Sequence, residues 1–289
     1  MKSGRESQTA VMVAAARAAA HGRTAGVDFQ DPTAMALLPD EARRRVEDFR
    51  AGVAPKDLRG RLSRAFFEKR AKMMVPRTVA IDEAVRAAGA PQVVILGAGL
   101  DGRAWRMPEL RDVTVFEVDH PDSQREKQAR AAALQRLARE VRFVPVDFTR
   151  DRLDGALAAA GHDPARPTTW IWEGVVMYLE LSDIEATLAV VQRRSAPGSR
   201  LVVMYAAPSP LALLIGLLVR RLGEPLRSLF TAEQMRALLA RHGFAVARDD
   251  DMPAIAARLS ADLARDMRAM KHMRVAIADR APDRARESR

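Results

Sequence analysis

Three carboxylates and a run of glycines are spaced along this chain in a way that suits one small ligand. Gly97, Gly99 and Gly102 punctuate the stretch ILGAGLDGRAWR, with Asp101 between the second and third; Asp119 follows in FEVDHP and Asp147 in VPVDF. Read literally, the glycines spell G-x-G-x-x-G, the fingerprint of a loop that seats a pyrophosphate on the N-terminus of the next helix. Such a loop disfavours negative charge. A carboxylate at Asp101 facing two phosphates is repulsive, and more so once partly desolvated. An acidic loop suits a cationic ligand that has no phosphate, and Gly97 and Gly99 let the backbone approach that ligand closely.

The elements that must position these residues alternate regularly. Residues 92–96 (QVVIL) form an apolar, β-branched run that ends in glycine, the pattern of a strand buried on both faces. Further strands are expected at 113–119, 141–146, 169–173 and 199–205, with helices at 103–110, 121–139, 151–160 and 182–195 between them. This β-α alternation predicts a doubly wound, Rossmann-like α/β fold with right-handed crossovers. Residues 244–248 read as a sixth strand, and 273–278 alternate as a seventh, edge strand. Thr231 in TAEQ is the expected cap of a helix, and 252–270 reads as helical. Upstream, 8–88 is helical, punctuated by Asp31-Pro32, Leu38-Pro39 and 52–55. Periodicity over 58–74 ends at Pro76, and Arg77 begins a new helix. The expected organisation is a single domain over 1–289: a helical lid (1–90), a cofactor-binding core (91–206), and an apolar cap after the fifth strand with the rest of the sheet (207–289).

Ligands in such sheets bind beyond the carboxyl ends of the strands, where Gly97, Asp119 and Asp147 all fall. S-adenosyl-L-methionine carries a sulfonium and an ammonium and no phosphate, so it fits the loop better than a dinucleotide. Asp119 would accept hydrogen bonds from ribose hydroxyls. Asp147 would bind the adenine amino group, with Phe148 beside the ring.

GAGLDGRAWR followed by FEVDHP, with RTVAID upstream and WEGVVMYL downstream, resembles the leucine carboxyl methyltransferase family, whose bacterial branch holds S-adenosylmethionine-dependent O-methyltransferases. The similarity covers most of the chain, from about Asp31 to beyond Tyr205, and four motifs in order are far more specific than the glycine loop alone. The resemblance implies a class I methyltransferase sheet of about seven strands. It implies that Arg77 binds the cofactor carboxylate, for which a guanidinium fork is well matched. Gly97 would lie against the cofactor, Asp119 would hold the ribose, Asp147 and Phe148 the adenine, and Glu173 of WEG would sit near the amino-acid end. Family members usually carry Thr where this chain has Gly102, a departure that creates the dinucleotide match.

Methyl transfer from a sulfonium is an in-line displacement in which the protein supplies alignment and a dry site. A carboxylate acceptor is already ionised at neutral pH and needs no base. His21, His120, His162, His242 and His272 fall in loops or at helix ends, where a solvated role outweighs a catalytic one, so no catalytic residue is assigned. Tyr178 and Tyr205 are candidates for lining the pocket. The apolar run at 211–219 is too short to span a membrane and suits a cap over a hydrophobic small molecule such as a polyketide-type metabolite. Two other readings stand beside the O-methyltransferase: an NAD(P)-dependent oxidoreductase from the literal glycine motif, and a non-catalytic S-adenosylmethionine-binding protein.

Composition narrows the partners. The net charge is +10, but the basic residues are interleaved with acids along the chain, and only 5% of residues are aromatic, poor for stacking on bases. No nucleic-acid partner, membrane partner or metal is expected. There is no cysteine, so disulfides and thiolate chemistry are excluded. Arg17 interrupts the Ala-rich N-terminal segment, which reads as a helix and not a signal peptide, so a cytoplasmic protein is expected.

Overall fold

The computed structural model describes residues 7–24, 27–147, 152–209 and 226–281. Helices come first: α1 (Gln8–Ala20), α2 (Thr33–Ala36), α3 (Asp40–Arg50) and α4 (Leu58–Ala88). They lead into β1 (Gln92–Leu96), α5 (Arg103–Arg106), β2 (Thr114–Asp119), α6 (Pro121–Ala131) and β3 (Glu140–Pro145). Next come α7 (Leu153–Ala159), β4 (Thr168–Trp172), α8 (Leu181–Arg193) and β5 (Arg200–Ala206). The chain closes with α9 (Ala232–Arg241), β6 (Phe244–Asp251), α10 (Met252–Ala257), α11 (Ala261–Asp266) and β7 (Met273–Arg280).

Among the described residues the strands form one seven-stranded sheet in the order β3-β2-β1-β4-β5-β7-β6. All neighbouring pairs from β3 to β5 are parallel, and β7 runs antiparallel to both β5 and β6. The strand order reverses between β1 and β4, which opens a crevice beyond their carboxyl ends. Every residue of β1 and β4 is buried, as their apolar β-branched and aromatic runs require. One face of the sheet packs on α4 and α10, through residues such as Ile95, Val202 and Met204; the other packs on α7, α8 and α9, through Val94, Trp170 and Tyr205.

Three expectations are corrected. The seventh strand is internal, and β6 is the edge. Val275, Ala276, Ile277 and Ala278 of β7 are all buried, so its alternation is one of residue size between two covered faces. The edge strand β6 instead carries a register shift between Val246 and Arg248 and the charges of Asp249, Asp250 and Asp251, features that discourage edge pairing. Second, α4 runs unbroken through Pro76. Met74, Val75, Pro76, Arg77 and Thr78 are all buried, and packing from every side holds the helix through the one hydrogen bond that proline removes. Third, the expected helix over 252–270 is divided into α10, α11 and a short 3-10 turn (Arg268–Met270). The Thr231 cap is present as a full capping box with Gln234. The apolar run at 211–219 lies outside the described residues.

Candidate active site

The glycine loop leaves β1 and turns back over β2. Gly97 and Ala98 donate their N–H groups to the Val118 carbonyl at 2.8 and 3.0 Å. Gly97 has φ +72°, and a Cβ there would stand 2.5 Å from Val175 Cγ2, so both conformation and space require glycine. The Gly99 N–H donates to Asp119 Oδ2 at 2.5 Å, and the His120 N–H donates to Asp119 Oδ1 at 2.6 Å. Asp119 is half-buried at the end of β2, and each oxygen keeps a further lone pair for a ligand. Burial raises its pKa above the usual carboxylate value, with the two backbone N–H groups opposing that shift.

Asp147 follows β3, two residues beyond its end, and the Val146 N–H donates to the Asp119 carbonyl at 2.9 Å. The two aspartates therefore share one edge of the sheet. Phe148 lies outside the described residues.

Across the crevice, Glu173 directly follows β4. Arg77 comes from α4 and donates through Nε to Glu173 Oε1 at 2.5 Å; its Nη1 contacts Met74 Sδ at 3.9 Å. The Nη2 lies 2.9 Å from where a Cβ on Gly174 would stand. Arg77 is thus carried by the N-terminal helices to the strand-end crevice, and among the described residues its Nη edge is not matched by a second carboxylate.

Sequence reasoning missed the rest of this cluster. Arg103 Nε donates to Asp82 Oδ1 at 2.7 Å, and its Nη1 bonds Asp101 and also Glu173 Oε2, the latter at 3.0 Å. Arg106 grips Asp82 with two bonds, at 2.6 and 3.0 Å. Arg17 Nε pairs with Asp31 at 2.9 Å while its Nη2 donates to the Leu100 carbonyl at 2.5 Å. Arg106 lies 3.7 Å from Asp31, closing the chain of charges. Four guanidinium groups, Arg17, Arg77, Arg103 and Arg106, thereby meet four carboxylates, Asp31, Asp82, Asp101 and Glu173. Burial of such groups is costly unless each is paired and hydrogen-bonded. Burial pushes the Glu173 carboxyl up, but Arg77 and Arg103 outweigh it and hold the pKa at about 2. Asp101 is likewise held at about 2, burial being outweighed by Arg103, Lys127 and Arg17. One signal was available: Arg17 sits alone in an Ala-rich helix, where a buried cation needs a partner.

Asp101 therefore does not stand as an open negative charge in the loop. Its carboxylate takes the Arg103 backbone N–H at 2.8 Å and the Arg103 side chain, and it is buried. Asp101 does not repel a pyrophosphate as an open charge would, because Arg103 compensates it from two residues away. Tyr205 is corrected too. It is fully buried, and its hydroxyl donates to Asp249 Oδ2 at 2.6 Å and accepts from Arg274 Nε at 3.1 Å, a link between β5, β6 and β7. Tyr178 is half-buried in the turn after β4, within electrostatic reach of Arg70.

The histidines are not all solvated. His162 is buried between Phe116 and Trp170 and bonds Thr168, while His272 is also buried. His120 caps α6, its Nδ1 accepting from the Asp122 N–H at 3.2 Å.

Residues 10–192 match the family model described as leucine carboxyl methyltransferase. A relative from Frankia alni is 38% identical over 197 residues, 67% of this chain and 66% of its own length; one from a Parafrankia strain is 42% identical over 153 residues, 52% and 49% of the two lengths. Both bear names that assign them provisionally to the S-adenosyl-L-methionine-dependent methyltransferases. The chain thus spans about half to two thirds of the length of these relatives. A solved Thermobifida fusca structure, described as a provisional methyltransferase, aligns over 93% of this chain and 94% of its own, with 15% identity and a TM-score of 0.56. That likeness shows the fold.

Proposed function

This chain belongs to the leucine carboxyl methyltransferase family, and from that premise we propose that it is a cytoplasmic O-methyltransferase. It would use S-adenosyl-L-methionine to methylate a carboxylate or hydroxyl of a hydrophobic small molecule. The observation that carries the reading is the pairing, on either side of β1, of Asp119 on the Gly99 N–H with Arg77 on Glu173. The spacing of chemistry suits the cofactor. Asp119 offers lone pairs to two ribose hydroxyls, Asp147 stands on the same edge for the adenine amino group, and the Arg77–Glu173 pair presents one charge of each sign to a zwitterionic amino-acid end.

When bound, the cofactor supplies an electrophilic methyl group on a sulfonium. The chain's own residues do the rest. Gly97 lets the backbone pass close to the ligand. Arg77 turns its Nη edge to a carboxylate, and the surrounding ion pairs fix that edge without reorganisation. Among the histidines, His120 is used as a cap, His162 and His272 are packed inside, His21 Nδ1 accepts from the Asp31 N–H, and His242 ends α9 ahead of β6, so none offers a general base at the carboxyl ends of the parallel strands. A carboxylate acceptor needs none, and that favours the carboxyl-methylating form of the reaction. The apolar character of 211–219 supports a hydrophobic acceptor.

The test is ligand-dependent melting. S-adenosylmethionine and S-adenosylhomocysteine are expected to raise the melting temperature, and NAD to leave it unchanged. Stabilisation by NAD alone would restore the oxidoreductase reading. In Arg77→Ala, affinity for S-adenosylmethionine should fall more than affinity for adenosine, which lacks the carboxylate; equal losses would remove Arg77 from the site.

A further inference from the structure

Among the described residues, five large apolar side chains are exposed, and four of them fall within one short stretch: Val53 (54%), Leu58 (69%), Leu62 (63%) and Phe66 (67%). The last three follow one another at i, i+4 and i+8 at the start of α4. Each step turns the position by about 40° around the axis, so they make one continuous stripe. The inner side of the same turns is anchored: Phe67 meets Phe49 edge-to-face at 5.0 Å, and Arg64 lies over the Phe49 ring at 4.7 Å and donates to the Val53 carbonyl at 2.9 Å. The helix is held firmly with its apolar stripe facing outward.

Charge is concentrated on this segment. Residues 56–72 hold seven basic and two acidic residues, which is +5 of the chain's +10. Arg64 is turned inward, and Lys72 is paired with Asp266 at 3.0 Å. Among the described residues Lys56, Arg59, Arg61 and Lys69 form no ion pair. By helical rotation Arg59 and Arg61 flank the apolar stripe on opposite sides, and Lys69 continues it.

We propose that this face of α4, with Val53, docks on an anionic lipid surface. An exposed helix with an apolar stripe between cations lies in the headgroup region, its apolar side chains reaching the acyl boundary and its cations meeting anionic headgroups. A second copy of this chain is disfavoured because it would bring the same unpaired cations together. A protein partner is disfavoured by size, since one stripe of three side chains falls far short of the roughly 800 Å² per partner of a stable interface. No helix among the described residues is long and apolar enough to cross a membrane, and surface docking requires none. The proposal revises the expectation of no membrane partner and stands independently of the methyl-transfer reading.

The experiment is sedimentation of the full chain with vesicles of phosphatidylcholine, alone or mixed with phosphatidylglycerol. Binding is expected only to the mixed vesicles, weakening as salt is raised. Leu62→Ser combined with Phe66→Ser, and separately Arg59→Glu combined with Arg61→Glu, should each weaken it by about tenfold or more. These positions are exposed, so the fold tolerates the changes, and unchanged melting verifies it. Leu181→Ser, at the fifth exposed apolar residue, should bind like the unaltered chain. Absence of phosphatidylglycerol-dependent binding, or equal binding by the stripe variants, overturns the proposal. A solution dimer that the double serine variant disperses would also overturn it, by giving the stripe to a second copy.

Discussion

Asp119 and Glu173 flank β1 from opposite sides, at the ends of β2 and β4, yet their charges are held by different means. Glu173 is met by two guanidinium groups, and its pKa is drawn down to about 2 despite burial. Asp119 is met by two backbone N–H groups, and its pKa is raised, because burial outweighs them. One carboxylate is compensated before any ligand arrives; the other retains capacity. A neutral donor such as a sugar hydroxyl suits the second. The first works by holding Arg77 and Arg103 in place, so it is a positioning group beside any part it takes in the proposed ligand contact. The two sides of the crevice should therefore respond differently to substitution, one chiefly in stability and the other chiefly in affinity.

The largest effect is expected at Arg103. Arg103→Met removes the guanidinium partner of buried Asp101 and one of the two held by each of Asp82 and Glu173, which keep Arg106 and Arg77, and breaking such a buried set costs roughly 3–5 kcal/mol of folding stability. Urea unfolding measures it. A loss below about 1 kcal/mol, the range of a surface pair, would mean that the cluster is solvated and the comparison fails.

On the other side of β1, Asp119→Ala should weaken S-adenosylmethionine binding by roughly 1.5–3 kcal/mol, the range for a hydrogen bond to a charged group, and, by leaving the Gly99 and His120 N–H groups without their acceptor, should cost about 1–3 kcal/mol in folding, less than Arg103→Met. Titration calorimetry gives the affinity and urea unfolding the control. Unchanged affinity in a folded variant would take the ribose role from Asp119.

pH separates the two sides further. Asp101 and Glu173 have folded pKa values of about 2, below their unfolded values. Their contribution is therefore full above the unfolded carboxylate pKa and is lost as pH falls from about 4 towards 2. Glu117, buried on β2 beside Lys127, has the opposite sign: burial raises it to about 7, so its contribution is full at low pH and declines as pH rises from about 4.5 to 7. Urea midpoints across pH should show a steep acid limb, and Arg103→Met should flatten it. An acid limb unchanged by that substitution would assign it to other carboxylates.

What the sequence displays and what it conceals follow the range of the interactions. The strand ends carrying Gly97, Asp119, Asp147 and Glu173 are legible because apolar β-branched runs stopping at glycine or acid are local signals. The charge cluster is not legible, since Arg17, Asp31, Asp82 and Arg106 become neighbours only when α1 and α4 fold over the glycine loop. Asp101 is concealed at short range: between two glycines it resembles an open ligand group, and only the structure turns the Arg103 side chain, two residues on, back upon it. Pro76 carries a local signal that ends a helix, and tertiary packing continues the helix through it. Tyr205 carried no local sign that Asp249 and Arg274, 44 and 69 residues away, would claim its hydroxyl.

The smallest effect expected tests how the N-terminal helices bear on the loop. Gly102 has φ −109°, a conformation open to any residue, so its restriction is one of space. A Cβ there would stand 2.0 Å from Thr33 Oγ1 and 3.1 Å from Thr33 Cβ. This chain brings Thr33 from α2 into the volume that a side chain at position 102 would occupy. The Thr33 hydroxyl donates to Asp31 Oδ1 at 2.9 Å, and Asp31 in turn pairs with Arg17. Gly102→Ala should therefore destabilise by about 1–3 kcal/mol through overpacking, and Thr33→Ala by about 1 kcal/mol through the lost hydrogen bond. In the double variant, removal of the hydroxyl relieves the tightest contact, so the two losses should fall short of their sum by about 1 kcal/mol. Urea unfolding of the four proteins in the cycle measures that coupling. Strict additivity, within about 0.3–0.5 kcal/mol, would mean that α2 yields to the loop without resistance. A measured coupling would tie the Arg17–Asp31 end of the charge cluster to the loop's shape, and so make the helices of the N-terminal region part of the site they cover.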